Sequence, residues 1–222
     1  MLASVEPSSA GEHLEAVALD VAQLAAQLVR ESVGQAAAAG TKSTPTDVVT
    51  ATDVESESLI RSELLARCPG STIVGEELAD DVGTNAVGWV VDPIDGTVNF
   101  LYDLPVIAVS IAATIHGKTV AGAVCDVLRG DVFSAAIDAG ARRNGAAIRA
   151  RTPGSLGDSL IGTGFAYAAE RRREQTEILT RLLPQARDIR CMGSAALNLC
   201  WVACGRLDGY YEQDTKPYDY AA

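Results

Sequence analysis

Trp89-Val90-Val91-Asp92-Pro93-Ile94-Asp95-Gly96-Thr97-Val98-Asn99-Phe100 is the stretch on which the reading of this chain turns. Trp89 to Val91 are apolar and strand-preferring, so a short buried strand is expected there. Asp92 and Asp95 follow on a turn that Pro93 stiffens. Gly96 allows backbone to approach a ligand closely. Thr97 places a hydroxyl at an expected helix start. A strand that delivers two carboxylates and then backbone N–H groups is suited to hold metal ions and a phosphate together.

Upstream of this stretch, Ser71 to Val74 reads as a short strand leading into Gly75-Glu76-Glu77, and residues 78–88 as a polar loop. Thr50-Ala51-Thr52-Asp53 has the spacing of a capping arrangement. It opens a helix to about Arg67, with Val54, Leu59, Ile60, Leu64 and Leu65 as the expected buried side and Pro69-Gly70 as its stop. Residues 34–49 read as loop. Glu12 to Ser32 repeats apolar residues at helical spacing (Leu14, Val17, Ala18, Val21, Leu24, Ala25, Leu28, Val29), and residues 1–11 read as a loose tail.

Downstream, Val106–Ile115, Thr119–Val127 and Asp131–Ala136 read as antiparallel strands. Tight turns at His116-Gly117 and Arg129-Gly130 join them, and Asn144-Gly145 signals a hairpin. Pro153-Gly154 marks a boundary between an N-terminal α+β lobe, 1–152, and the start of a C-terminal α/β lobe, 153–222. In the second lobe strand and helix alternate: Leu160–Thr163, Ala168–Leu183, Arg187–Arg190, Ser194–Ala203 and Leu207–Glu212. Lys216 to Ala222 read as the opening of a further helix. The expected class is mixed α/β, a layered α+β arrangement of sheets covered by helices in one compact unit.

The chain has 222 residues, 48% of them hydrophobic, and a formal net charge of −11. That length and composition can bury a substantial core. The acidic balance argues against nucleic acid as a partner, since phosphate backbones select basic surfaces. The five cysteines are an odd number with no Cys-x-x-Cys pair. They read as thiols of a reducing compartment, which points to a cytoplasmic protein. No signal peptide is evident, and the apolar stretches are too short to span a membrane.

Acids stand at the ends of several expected elements: Asp53, Glu76-Glu77, Asp92 with Asp95, and Asp219. Carboxylates brought within a few ångströms repel one another unless one keeps its proton or a cation joins them. Oxygen ligands without histidine or cysteine point to a hard ion, Mg²⁺ or Mn²⁺, and several carboxylates suit two ions about 3.5–4 Å apart. Other chemistries find little support. His13 and His116 lie far from any Gly-x-Ser-x-Gly elbow, no P-loop is present, and an aspartyl nucleophile at Asp92 lacks the second acid two residues on, where Ile94 stands.

Gly75-Glu76-Glu77 followed by Trp89-Val-Val-Asp92-Pro-Ile-Asp95-Gly-Thr97-Val-Asn-Phe resembles the signature of the inositol monophosphatase family, Mg²⁺-dependent and lithium-sensitive phosphatases. Companion matches run along the chain: Lys42 to Asp53, Gly193-Ser194-Ala195-Ala196, Asp208-Gly-Tyr-Tyr-Glu212, and Tyr218-Asp219-Tyr-Ala-Ala. The resemblance implies an αβαβα sandwich. It implies that Glu76, Asp92 and the carbonyl of Ile94 hold one Mg²⁺, that Asp92, Asp95 and Asp219 hold a second, and that Glu76 touches a third ion through water. The N–H groups of Gly96 and Thr97 would receive the phosphate. Asp53 and Thr97 would pair beside the attacking water, with Glu76 as an alternative proton acceptor. Gly193, Ser194, Ala195 and Glu212 would line the pocket for the alcohol, with Lys42 and Glu77 as accessory residues.

The family continues for several dozen residues beyond the position of Ala222, so the C-terminal part is expected to be missing from this sequence. Tyr218 stands where the family usually carries Trp. The implied function is Mg²⁺-dependent hydrolysis of a small polyol phosphate, foremost inositol 1-phosphate, by a homodimer. Fructose 1,6-bisphosphate and histidinol phosphate are alternative substrates. A non-catalytic role as a partner in transcription or ribosome assembly is the alternative of another class.

Overall fold

The computed structural model describes residues 7–35, 38–41 and 48–222, the side chains of 7–9 and 38 excepted. Lys42 and Asp47 lie outside the described residues. The first helix, α1, is Pro7–Glu31 and begins within the stretch expected as tail. Proline at a helix start has its φ already set and needs no partner for a backbone N–H. Its inward stripe is Leu14, Val17, Ala18, Val21, Ala22, Ala25, Ala26 and Val29, whereas Leu24 faces outward. The stretch expected as loop, 34–49, carries a short strand, β1 (Ala38–Thr41), and the start of a second antiparallel to it, β2 (Val48–Thr50). Segments of four and three residues without apolar alternation carry no periodic signal.

Helix α2 is Ala51–Arg67, followed by β3 (Thr72–Val74) and β4 (Val87–Asp95). A short helix, α3 (Thr97–Leu101), leads into β5 (Ala108–Ile115), β6 (Lys118–Asp126), β7 (Val132–Ala136), β8 (Gly140–Arg143) and β9 (Ala146–Ala147). These make a seven-stranded sheet in the order β3-β4-β5-β6-β7-β8-β9, parallel only between β3 and β4. Asn144 and Gly145 both take positive φ, 52° and 78°, as a two-residue hairpin turn requires.

The second sheet begins after the Pro153-Gly154 stretch. It contains β10 (Leu160–Thr163), α4 (Ala169–Leu182), β11 (Asp188–Cys191), α5 (Ala195–Ala203) and β12 (Gly209–Tyr211), with α6 (Pro217–Tyr220) last. Its three strands are all parallel, in the order β11-β10-β12. Helices α1 and α2 cover one face of the large sheet; α5 lies between it and the small one, with α6 beside α5 against β4 and β5. With α4 linking β10 to β11, the layers follow the expected αβαβα order.

Two apolar clusters hold these layers. Val109, Ile111, Ala113, Ala121 and Ala123 point into the cluster beneath α1 and α2, with Ile60, Leu64, Trp89 and Phe100. Ala108, Val124 and Phe133 point the other way, onto Ala196, Leu197 and Trp201 of α5. The strict alternation along β5 and β6 is what a sheet covered on both faces demands. Small residues on those strands let the helices come close. A Cβ at Gly122 would fall 2.7 Å from the backbone of Ala222, so the last residues pass directly over β6.

One expectation at the centre is corrected. Asp92 and Asp95 do not sit on a turn after a strand ending at Val91; β4 continues to Asp95. Its pairing with β5 slips between Asp92, opposite Ser110, and Asp95, opposite Ala108. Pro93 has no N–H to give a ladder and is accommodated where the register breaks. Such an irregularity re-aims side chains, and here it aims the two carboxylates at one place.

Candidate active site

A cleft of about 1050 Å³ opens where the end of β4, the start of α5 and the segment from β12 to α6 meet. Among its lining residues are Glu76, Asp92, Ile94, Asp95, Gly96, Thr97, Gly193, Ala195, Glu212 and Asp219. The candidates proposed from sequence are therefore largely gathered on one surface. Asp53 and Ser194 stand one layer behind it, buried. Glu77 is engaged elsewhere through its backbone, and Lys42 lies outside the described residues. Arg171, Arg172 and Lys216 also line the cleft.

Asp95 is held by the N-terminus of α5. Its carboxylate accepts hydrogen bonds from Ser194 Oγ at 2.6 Å, Ala196 N at 2.7 Å and Ala195 N at 3.2 Å. Ser194 is also the N-cap of α5, its hydroxyl accepting from Leu197 N. Burial pushes Asp95 up to about 7, against the pull of Ser194 and Ala196 and with the help of the nearby Asp219 charge. Asp92 is fully buried, and its carboxyl lies well above the usual carboxylate range because of that burial and the charges of Glu76, Asp95 and Asp219. Lys216 N donates to Asp219 Oδ2 at 2.5 Å, which fixes Asp219 on the first turn of α6.

Helix α2 organises the opposite wall; Ile60 and Leu64 are buried as expected, but the rest of the buried face differs. Its buried residues are Thr52, Asp53, Ser56, Glu57, Ile60, Arg61 and Leu64, a helical stripe that is polar over its first half; Val54 faces outward. The expected capping arrangement is present: Thr50 N donates to Asp53 Oδ2 at 2.8 Å, and Asp53 N donates to Thr50 Oγ1 at 3.4 Å. Thr50 Oγ1 also donates to Asp53 Oδ2 at 2.5 Å. The other oxygen, Asp53 Oδ1, accepts from Thr97 Oγ1 at 3.2 Å. Ser56 Oγ donates to the carbonyl of Pro93 at 3.2 Å, which pins the irregular end of β4.

Glu57 and Arg61 were not singled out in the sequence. Glu57 is fully buried and accepts from Glu77 N at 2.7 Å, Leu78 N at 3.2 Å and Arg61 Nε at 2.8 Å. Arg61 reaches on to Asp81 at 2.7 Å, so the pair clamps the segment that carries Glu76. Gly75 is glycine for the same reason, since a Cβ there would fall inside the Glu57 carboxylate. The i,i+4 spacing was visible, but such pairs are common on exposed faces. Glu57→Ala is expected to cost about 3 kcal/mol, because it strips a buried guanidinium of one partner. Urea unfolding measures this, and a loss under about 1 kcal/mol would remove Glu57 from its role.

Asn99 was also missed. Its Nδ2 donates to Val106 O and Met192 O, each at 2.8 Å, and so ties α3 to the segment before Gly193. Gly96 has φ 100°, and a Cβ there would stand 2.8 Å from Val106 O and 3.1 Å from Gly193 O. Only glycine makes this turn at this closeness.

The donor chemistry fits a hard divalent cation. Glu76, Asp92, Asp95 and Asp219 offer only oxygens, and three of them raise the proton affinity of a fourth that has no access to solvent. Among the described residues, no three acidic, histidine or cysteine side chains form a ready coordination shell. Mg²⁺ asks for no such cage: it takes one or two carboxylates and completes its shell with water and substrate phosphate. The hydrogen bonds that orient Asp95 are the outer support such a ligand needs.

The sequence profile of the inositol monophosphatase family matches residues 11–222. An inositol-1-monophosphatase of Mycobacterium leprae is 45% identical over 235 aligned residues, 97% of this chain and 81% of that one. Inositol-1-monophosphatase SuhB of Mycobacterium tuberculosis is 48% identical over 82% of this chain, and the match spans 66% of that protein's length. Nus factor SuhB of Salmonella typhimurium is 40% identical over 79% of this chain and 67% of its own. Among solved structures, Mycobacterium tuberculosis SuhB superposes with a TM-score of 0.82 at 42% identity, over 96% of this chain and 82% of that one. The SuhB protein of Bartonella henselae superposes with 0.87 at 32% identity, over 95% and 82%. Profile, relatives and layered architecture agree, and the chain belongs to the inositol monophosphatase family of phosphoric monoester hydrolases.

Proposed function

We propose that this chain hydrolyses the phosphate monoester of a small polyol, foremost an inositol monophosphate, with two or three Mg²⁺ ions held by Glu76, Asp92, the Ile94 carbonyl, Asp95 and Asp219. The observation that carries this reading is the convergence of three carboxylates, Glu76, Asp95 and Asp219, on a buried fourth, Asp92, beside the Gly96–Thr97 turn. Bound there, the cation would supply charge neutralisation for the phosphate and activation of water.

The protein's own groups do the rest. The N–H groups of Gly96 and Thr97 orient the phosphate. Thr97 Oγ1 donates towards Asp53 Oδ1 at 3.2 Å and Ile94 O at 3.1 Å, which leaves its lone pairs to accept a hydrogen bond from the attacking water; as the water gives up that proton to Thr97, the threonine's own proton passes to Asp53. The Asp53 oxygen that does not face Thr97 is committed to Thr50, so the carboxylate stays in place. Glu76 is the other acceptor within the cleft. Gly193, Ala195 and Glu212 line the side where the alcohol would lie, with Ser194 behind them. Glu212 accepts hydroxyl protons.

Treatment with a strong chelator is expected to lower phosphate release from inositol 1-phosphate by more than about a hundredfold, with recovery on adding Mg²⁺ and inhibition by Li⁺. Turnover retained in the chelator would overturn the reading. A screen over inositol 1-phosphate, fructose 1,6-bisphosphate and histidinol phosphate ranks the substrates. The family resemblance also supports a homodimer, which sedimentation tests, and the cysteine usage supports a cytoplasmic setting.

A second reading is favoured by the relatives named Nus factor, in which this chain acts as a protein partner rather than an enzyme. Asp95→Asn separates the two. Phosphatase activity lost with the cellular phenotype intact would favour the partner role.

A further inference from the structure

Strand β10 runs Leu160-Ile161-Gly162-Thr163 and is followed by Gly164. It pairs in parallel with β12, Gly162 opposite Tyr210 and Thr163 opposite Tyr211. The next step of this register sets Gly164 opposite Glu212. Residues two apart on a strand share a face. Gly162 and Gly164 therefore form a trough free of side chains, and Tyr210 and Glu212 fill it. A Cβ at Gly164 would fall inside the Glu212 carboxylate, against both oxygens and Cδ. A Cβ at Gly162 would stand 2.9 Å from Asn198 Oδ1 and from Leu207 Cδ1, and 3.2 Å from the Tyr210 ring. Neither glycine has positive φ, so backbone conformation does not demand glycine at either position. The reason is space. Within the trough, the Tyr210 hydroxyl donates to Glu212 Oε2.

We propose that Gly164 and Tyr210 are positioning residues that set selectivity for a polyol by seating the Glu212 carboxylate. Gly164 clears the place it occupies, and Tyr210 engages one oxygen and leaves the other to a substrate hydroxyl. The inference rests on the reading that Glu212 recognises the alcohol. It adds why the recognition has a direction: a free glutamate rotates through several rotamers, whereas this one is limited in position and has a single oxygen left to offer. Burial pushes the Glu212 carboxyl up while the Tyr210 hydrogen bond pulls it down, so Tyr210 also favours the charged, hydroxyl-accepting form.

The test compares kcat/KM for inositol 1-phosphate with kcat/KM for phenyl phosphate, whose leaving group has no further hydroxyl. The ratio of the two cancels the fraction of folded, metal-loaded enzyme. Glu212→Gln is the reference. Tyr210→Phe is expected to lower the ratio about tenfold, the worth of one hydrogen bond to a charged group. Gly164→Ala is expected to lower it at least as far. In an E212D background the same Gly164→Ala change is expected to cost less than about twofold, because the shorter side chain draws the carboxylate away from the added methyl.

If Glu212→Gln leaves the ratio unchanged, hydroxyl recognition by Glu212 fails and the seat fails with it. If Glu212→Gln lowers the ratio but Tyr210→Phe and Gly164→Ala do not, the recognition stands and the seat is overturned. If Gly164→Ala is as damaging with E212D as without it, the steric role is overturned, since a general packing defect would not depend on the length of residue 212.

Discussion

Replacing Asp92 by asparagine is expected to cut phosphate release from inositol 1-phosphate by about a thousandfold or more and, in metal-free solution, to raise the melting temperature. The first effect follows from the position of the carboxylate. Asp92 is the one acid shared by both proposed ion positions, and an amide at the same site offers a neutral oxygen and a repelling N–H. Losing several kcal/mol of charge stabilisation, about 4, is about a thousandfold in rate. The second effect has the opposite sign because the fully buried Asp92 faces the charges of Glu76, Asp95 and Asp219. A neutral side chain of the same shape relieves that repulsion, a common trade of stability against activity.

The same carboxylates set the pH dependence of the metal-free chain. Burial raises Asp95 to about 7 and Asp92 above its ordinary value, so the folded state keeps protons that the unfolded chain has already released near pH 4. Stability therefore falls as pH rises from about 4 towards 7, and the fall is shallower in Asp92→Asn. Mg²⁺ near a hundred times its dissociation constant should restore about 2.7 kcal/mol to the parent. Thermal melts across pH, with and without Mg²⁺, read all of this. Equal stabilisation of parent and variant by Mg²⁺ would remove Asp92 from the ligand set.

The second large effect separates the two duties of Asp53. Thr97→Val is expected to lower kcat about a hundredfold with little loss of stability, because it deletes the hydroxyl beside the proposed water and keeps the side-chain shape. Asp53→Ala should lower kcat about as far and also cost about 1–2 kcal/mol of stability, because it removes the reciprocal cap of α2. The double variant should be no slower than the worse single one, since the hydroxyl and the carboxylate act as one unit. Stopped assays and urea melts on the three proteins check this. Additive losses in kcat would mean that Thr97 and Asp53 work separately.

Many residues of the candidate site could be singled out before the structure. Asp53 announced itself by its spacing from Thr50, and Asp92, Asp95, Gly96 and Thr97 by their neighbours within one short segment. Asp219 stood out as an acid at an expected helix start, whereas Glu212 entered through resemblance. Other features stayed hidden for identifiable reasons. The apolar residues of α2 suggested a buried side through Val54, Leu59, Ile60, Leu64 and Leu65; Ile60 and Leu64 do face inward, yet Val54 does not, and the helix is turned so that Asp53, Ser56 and Glu57 join them. The partners that favour this rotation, Thr97, Pro93 O and Glu77 N, lie 20 to 44 residues away. Periodicity ranks residues by apolarity, and it misjudges a face buried for its hydrogen bonds. Nothing nearby in the chain says why residues 75 and 164 are glycine; only the carboxylates above them explain the missing side chains.

The order of residues by itself determined that a strand would deliver two carboxylates to a glycine–threonine turn. It also determined that α2 would begin at a cap built from Thr50 and Asp53, and that Asn144-Gly145 would close a hairpin. Each depends on chemistry and backbone preference within a dozen residues. Only the tertiary structure decided that Pro93 would sit in a break of register rather than a turn, and that Glu57 and Arg61 would clamp the Glu76 segment from within. It alone decided that Glu212 would rest where Gly164 has no side chain. Those outcomes depend on which strand lies beside which and on how far a helix is rotated, and sheet pairing and packing across the whole chain settle both.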